Sequence, residues 1–272
     1  MRSLISILEC WRPESPPFAC VQLTTVRGST PREAGAFMLV GQDWQKGTIG
    51  GGCLEWECLQ KARTLLNSNL PSMTHDVTLG AGTNQCCGGQ VTVAITRAQP
   101  NIVDTLKQQL HNEKQTYPTL LMFGAGHVGR ALAHALAPLP LNLIWVDPRS
   151  EEFGAIPHGV TAHVSSQWEH HLAALPAGAG VLVLTPSHSL DALIVAAALE
   201  RDNLAYIGLI GSKTKRRRFE TGFRAIGLTE DQISALTCPI GGQTVRDKRP
   251  EIIAALVASE IVIKLIHRKN GA

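Results

Sequence analysis

The spacing of apolar positions changes most sharply between residues 118 and 149. An apolar run, Leu120, Leu121, Met122 and Phe123, stops at Gly124, and Gly126 and Gly129 complete a GxGxxG spacing. Small and apolar residues then recur at helical intervals until Pro138 and Pro140, and a second apolar run over 141–146 ends at Asp147. The pattern predicts strand, tight glycine turn, helix and strand, the context that gives a dinucleotide fingerprint its weight. Gly124 permits the turn, Gly126 lets a pyrophosphate approach the backbone, and Gly129 lets the helix pack close to the strand. The helix N-terminus attracts the anion. Asp147 stands where an acidic residue accepts a ribose hydroxyl. The fold by itself implies no hydride transfer.

Upstream, a short helical pattern over 4–11 ends in the Pro13, Pro16 and Pro17 cluster, and 18–26 and 37–40 read as strands rich in branched and aromatic residues. Helical spacing follows over 54–66, then two alternating strands over 74–79 and 91–95 and a polar helix over 101–113. Residues 111–118 have linker composition. Downstream, strands are expected at 162–164, 181–184 and 206–210 and helices at 166–175 and 190–200. Pro250 can start a last helix with the stripe Ile252, Ile253, Leu256, Val257, Ile261 and Leu265. Such βα repeats wind right-handed into an open parallel sheet. The expectation is an α/β chain: a smaller N-terminal α+β domain over 1–114 and a Rossmann-like C-terminal domain with a parallel sheet over 115–272.

Length supports two domains, because 272 residues exceed the usual single-domain size. A formal charge of +3 is too small and too dispersed for nucleic acid to be the main partner. Seven cysteines in a chain this long do not resemble a disulfide framework. The N-terminus makes a poor signal peptide, and the apolar stretch 252–266 is interrupted by Glu260 and Lys264. A cytoplasmic protein with reduced thiols and no membrane partner is expected.

The candidate chemistry lies in loops. Residues 27–36 carry small residues beside Arg27 and Arg32, so the loop can offer backbone amides and guanidinium forks to a phosphate, or can be an ordinary glycine turn. Gly50, Gly51 and Gly52 directly precede a helix, an entropically costly run best tolerated where backbone touches a ligand or other backbone. Glu55 suits the dipole of that helix, and Cys53 and Cys58 read as packing residues. Cys86 and Cys87 sit adjacent in a glycine loop, where soft thiolates favour soft metals and sulfur chemistry but cannot form the usual zinc geometry; two unreactive thiols are the plainer alternative. Ligands of open parallel sheets bind outside the carboxyl ends of the strands. There, Asp147, Arg149 and the segment 185–191 gather, with His188 as acid, base or ligand, or more plainly a helix-capping or solvated histidine. Ser212, Lys213 and Lys215 can meet a phosphate, while 216–218 read as a solvated basic face.

In order along the chain, GSTPREAGA, GTIGGGCLE, QCCGG, FGAGHVGRAL, DPR, PSHSLD, GLIGSKTKRRRF and CPIGG give it a form that resembles the XdhC/CoxI family of xanthine dehydrogenase accessory proteins, from about residue 4 to 266. The resemblance implies a molybdenum cofactor chaperone. Such a protein receives molybdopterin-bound molybdenum, shelters it while a cysteine desulfurase supplies a terminal sulfido ligand, and passes it to apo xanthine dehydrogenase. It implies no redox enzyme and a homodimer. Under it, Arg32, Gly50, Gly51, Gly52, Glu55, Gly124, Gly126, His127, Gly129, Asp147, Arg149, His188, Ser212 and Lys213 would serve the cofactor. Cys86 and Cys87 would lie near the molybdenum or the incoming sulfur. Two other readings stand beside it: an NAD(P)-dependent oxidoreductase using His188, and a nucleotide-sensing regulatory module.

Overall fold

The computed structural model describes residues 4–79, 88–242, 244–245 and 247–267. The chain divides into two compact units, Met1–Asn112 and Glu113–Ala272.

In the first unit, β1 (Ala19–Arg27), β2 (Phe37–Val40), β3 (Gln45–Gly47), β4 (Ser72–Thr78) and β5 (Gln90–Arg97) form an antiparallel sheet of order β3-β2-β1-β5-β4. Alternation along β1 sends Ala19, Val21 and Leu23 to one face, where they join Leu54, Cys58, Ala62 and Leu65 of α2 (Gly52–Leu66) in a core. The neighbouring Phe18 and Cys20 join Leu8 of α1 (Leu4–Cys10) and Val103 and Leu106 of α3 (Pro100–Gln115) in the core of the opposite face. The β1–β5 register shifts between Leu23 and Thr25, and this bulge at Thr24 changes the parity of the strand. Val26 thereby packs on the Leu23 side. Strand β3 was not predicted: it has three residues and little burial, so no alternation announces it.

In the second unit, β6 (Thr119–Phe123), β7 (Asn142–Asp147), β8 (Thr161–Val164), β9 (Gly180–Val183), β10 (Tyr206–Leu209) and β11 (Leu236–Thr237) form a wholly parallel sheet of order β11-β10-β9-β6-β7-β8. That is the doubly wound order, in which the winding reverses between the first and fourth strands. Here the reversal falls between β6 and β9. Helices α4 (His127–Leu136) and α9 (Pro250–Ile261) cover one face. The other is covered by α5 (Trp168–Ala173), α6 (His188–Leu199), α7 (Lys213–Ala225) and α8 (Glu230–Ser234). Covered twice, β9 and β10 are buried at every position, which is why they read as continuous apolar runs. Among the described residues no helix is long and apolar enough to cross a membrane.

Candidate functional site

The glycine turn sits at the reversal point, and its three glycines do different work. A Cβ on Gly124 (φ 112°) would lie 2.3 Å from Leu184 O, and one on Gly129 would lie 2.2 Å from Gly124 O. Both are demanded by the fold itself. Gly126, the N-cap of α4, has φ −64°, and a Cβ there would meet nothing within 4 Å. Its bare surface leaves open space at the mouth of a helix N-terminus, as backbone approach by an anion requires. His127 follows as the first, exposed residue of α4. Buried Trp145 fixes the turn by donating Nε1–H to Gly124 O at 2.9 Å.

Next to the turn is a cavity of about 260 Å³ at the carboxyl ends of β6, β7, β8 and β9. Phe123, Val146, Trp168, Leu190 and Ile194 give it apolar walls, and Asp147, Arg149, Ser165, Ser166 and Thr185 give it a polar side. Asp147 is 2% exposed. Its Oδ2 accepts from Ala125 N at 2.8 Å and Arg149 Nη2 at 2.8 Å, and its Oδ1 accepts from Arg149 N and Nε, both at 2.9 Å. Burial alone would raise this carboxyl, but the side-chain and backbone hydrogen bonds from Arg149 and the Ala125 amide outweigh it, so Asp147 sits below the ordinary carboxylate range. Arg149 Nη1 reaches Glu152 at 3.2 Å, and Arg130 Nη1 holds Glu152 from the other side at 3.0 Å. The acid expected to meet a ribose hydroxyl is thus engaged within the chain.

The loop after β9 is held from beneath. Asp191, fully buried, accepts from Thr185 N (3.1 Å) and Thr185 Oγ1 (2.8 Å) on Oδ1, and from Lys215 Nζ (2.7 Å) on Oδ2. Lys215 Nζ also donates to Ile210 O at 3.0 Å. This corrects the expectation that Lys215 is available to a phosphate: its ammonium is committed to the interior. Ser212 Oγ caps α7 by accepting from Lys215 N, and Lys213 is exposed at the first position of that helix. His188 is exposed at the first position of α6, capped by Ser187 rather than acting as cap itself. Arg216 departs from the solvated face expected for 216–218, because it donates to Leu236 O and Cys238 O and pairs with Glu220. Sequence reasoning did not single out Trp145, Arg130, Glu152, Ser165, Ser166 or Trp168, and it placed Asp191 only within the 185–191 segment at the strand ends, not as the buried partner of Lys215.

In the first unit, the glycine run folds back on its own helix. Gly50, Gly51 and Gly52 all have positive φ (127°, 76° and 64°). Glu55 Oε2 accepts from Thr48 Oγ1 at 2.5 Å and from Ile49 N and Gly51 N at 3.0 Å each, while Gly50 N donates to Thr48 Oγ1. The Ile49 and Gly51 amides are therefore occupied by the chain's own carboxylate, and the Gly50 amide by the Thr48 hydroxyl. Gly50 has a second reason to be bare: a Cβ would lie 2.5 Å from Pro31 Cγ in the 27–36 loop. Arg32 in that loop is exposed. Gly89 packs backbone to backbone with Ser29, where a Cβ would come within 2.4 Å of Ser29 O. Cys86 and Cys87 lie outside the described residues.

Residues 120–261 match the XdhC Rossmann domain, and residues 11–77 match the XdhC and CoxI family. Over 252 residues the chain is 29% identical to the uncharacterized protein YqeB of Escherichia coli (strain K12), covering 90% of this chain and 43% of that protein. It thus spans less than half the length of that relative. A Bacillus halodurans protein described as a xanthine dehydrogenase shares the fold, with a TM-score of 0.76 at 21% identity over 99% of this chain and 97% of its own. By its matches at both ends, this chain belongs to the XdhC and CoxI family.

Proposed function

We propose that this chain is a molybdenum cofactor chaperone serving the maturation of xanthine dehydrogenase, an accessory protein and not itself a redox enzyme. It would take up molybdopterin-bound molybdenum as cargo, shelter it during sulfuration by a cysteine desulfurase, and release it to the apoenzyme. The observation that carries this reading is the cavity at the β6–β9 reversal. At about 260 Å³ it lies just below the usual size range of small-molecule sites, room for one fused ring system with its charged groups at the rim. Family membership supports the same reading. The cargo supplies the metal and its sulfur ligands; the chain's own part is to hold the ring between apolar walls, to meet charged groups at Gly126 and Arg149, and to exclude water. A cytoplasmic homodimer is the proposed working form, with Cys86 and Cys87 as the proposed sulfur contacts.

A second reading follows from the glycine turn, which equally suits the pyrophosphate of a nicotinamide dinucleotide. The test is anaerobic purification alongside an active pterin pathway, followed by fluorescence of the oxidised pterin and transfer to apo xanthine dehydrogenase. Bound pterin or accelerated transfer supports the chaperone. Neither, together with turnover of a nicotinamide, overturns it.

A further inference from the structure

We propose that Arg149, with Ser165 and Ser166, forms a phosphate subsite at the ends of β7 and β8, and that Asp147 does not read a ribose diol. The subsite would recognise a phosphomonoester on a ligand whose fused ring occupies the apolar part of the cavity. The inference rests on the chaperone reading only in placing a ligand in this crevice.

A count of hydrogen-bonding capacity carries the argument. A carboxylate offers about four lone-pair sites. Asp147 fills them with Arg149 N and Nε on Oδ1 and with Ala125 N and Arg149 Nη2 on Oδ2. A diol could reach Asp147 only by prising off the guanidinium, at the cost of parting a buried carboxylate from its counter-ion. Arg149 is differently placed. Its side chain is 35% exposed, and a guanidinium has five N–H groups. The bonds to Asp147 and Glu152 use Nε, Nη2 and Nη1 once each, which leaves one N–H on each terminal nitrogen.

The neighbouring hydroxyls add donors on the same cavity wall. Ser165 Oγ accepts from Gln167 N and keeps its own O–H to donate. Ser166 is exposed, and its hydroxyl has no partner among the described residues. Glu152 is shared between two cations, its Oε2 held by Arg130 Nη1 at 3.0 Å and its Oε1 by Arg149 Nη1 at 3.2 Å, so it takes only one of the Arg149 terminal N–H groups. A phosphomonoester carries a charge of about −1.5 to −2 at neutral pH and matches a guanidinium fork. A neutral diol supplies neither the charge nor an acceptor fork of that kind.

Calorimetric titration with two matched probe pairs tests this. NADPH and NADH differ only in the 2′-phosphate; the fluorescent oxidised pterin monophosphate and its phosphatase-treated form differ only in the phosphomonoester. In at least one pair the phosphorylated member should bind at least tenfold more tightly, and Arg149→Met should bring the ratio close to one. Ser165→Ala with Ser166→Ala, which leaves the Asp147–Arg149 pair intact, should reduce the ratio at least threefold and covers the case in which Arg149→Met fails to fold. Equal binding within both pairs, no binding in either, or a ratio unaffected by these variants overturns the subsite. Phosphate-dependent binding of NADPH alone, without pterin transfer, would retire the chaperone and leave the subsite standing.

Discussion

Lys215 Nζ lies 2.7 Å from Asp191 Oδ2, with Asp191 fully buried and the Lys215 side chain 12% exposed. The pair joins the loop after β9 to the end of β10, because Asp191 also holds Thr185 and Lys215 also holds Ile210 O. Removing one partner of a buried pair leaves a charge without compensation and costs about 3–5 kcal/mol. Lys215→Met should lower unfolding free energy by that amount in urea titrations. Combining it with Asp191→Leu should recover most of the loss, short by about 1–3 kcal/mol for the Thr185 amide left without an acceptor. If Lys215→Met is as stable as the parent, the pair does not hold this loop.

The three fingerprint glycines should separate folding from binding. Gly129→Ala pushes a methyl against Gly124 O, and Gly124→Ala pushes one against Leu184 O from a left-handed backbone. Each should destabilise by about 1–3 kcal/mol, as overpacking does. Gly126→Ala has open space and an ordinary φ, so its stability should stay within about 1 kcal/mol of the parent, while ligand affinity falls at least tenfold. Paired melting curves and titrations check this. A Gly126→Ala protein that binds as the parent does would place the ligand elsewhere.

What the sequence made legible was local. Strand β6, the turn at Gly124 and strand β7 could be read because periodicity and glycine spacing are properties of contiguous residues. The same holds for β9 and β10, whose unbroken apolar runs follow from burial on both faces. The Lys215–Asp191 pair could not be read: the residues are 24 positions apart and meet only because β9 and β10 are neighbours. Arg149 was visible in the DPR triplet, but its fork closing on Asp147 depends on a side-chain conformation that composition does not encode. In the glycine run, Glu55 was read through the helix dipole, whereas its larger role is to accept from the loop's own amides. Short β3 and β11, with three and two residues, fall below the length at which alternation becomes a signal.

Acid should dissolve the Asp147–Arg149 clamp. Asp147 is held below its ordinary value, so its contribution to stability is fully present above that value, about 3.9. The contribution is lost as pH falls through the depressed folded value. Asp147→Asn should therefore be less stable than the parent at pH 7, by about 1.5–3 kcal/mol for hydrogen bonds to a charged group. The two proteins should converge as pH is lowered below the ordinary carboxylate range and through the depressed folded value. Urea midpoints across that range measure it, and a gap that persists undiminished at the lowest pH would show that the carboxylate charge is not what Arg149 recognises.

Thiol reactivity should follow packing. Burial, joined at Cys58 by Glu57, pushes the thiols of Cys20 and Cys58 up to about 12, and burial also raises Cys238 despite nearby Lys215 and Arg216. Cys53 is only partly buried, yet it too is raised, first by its hydrogen bond to Glu57 at 3.4 Å and then by burial. The thiolate is the reactive form. At pH 8 a disulfide-exchange reagent, with sites mapped by mass spectrometry, should therefore modify exposed Cys10 quickly and Cys53 more slowly. Cys20, Cys58 and Cys238 should react only on unfolding. Glu57→Gln removes the carboxylate that holds the Cys53 proton, so it should speed labelling of Cys53 several-fold and leave Cys10 unchanged. Labelling of Cys20 or Cys58 in the native protein at the rate of Cys10 would contradict the two-faced packing of the first sheet.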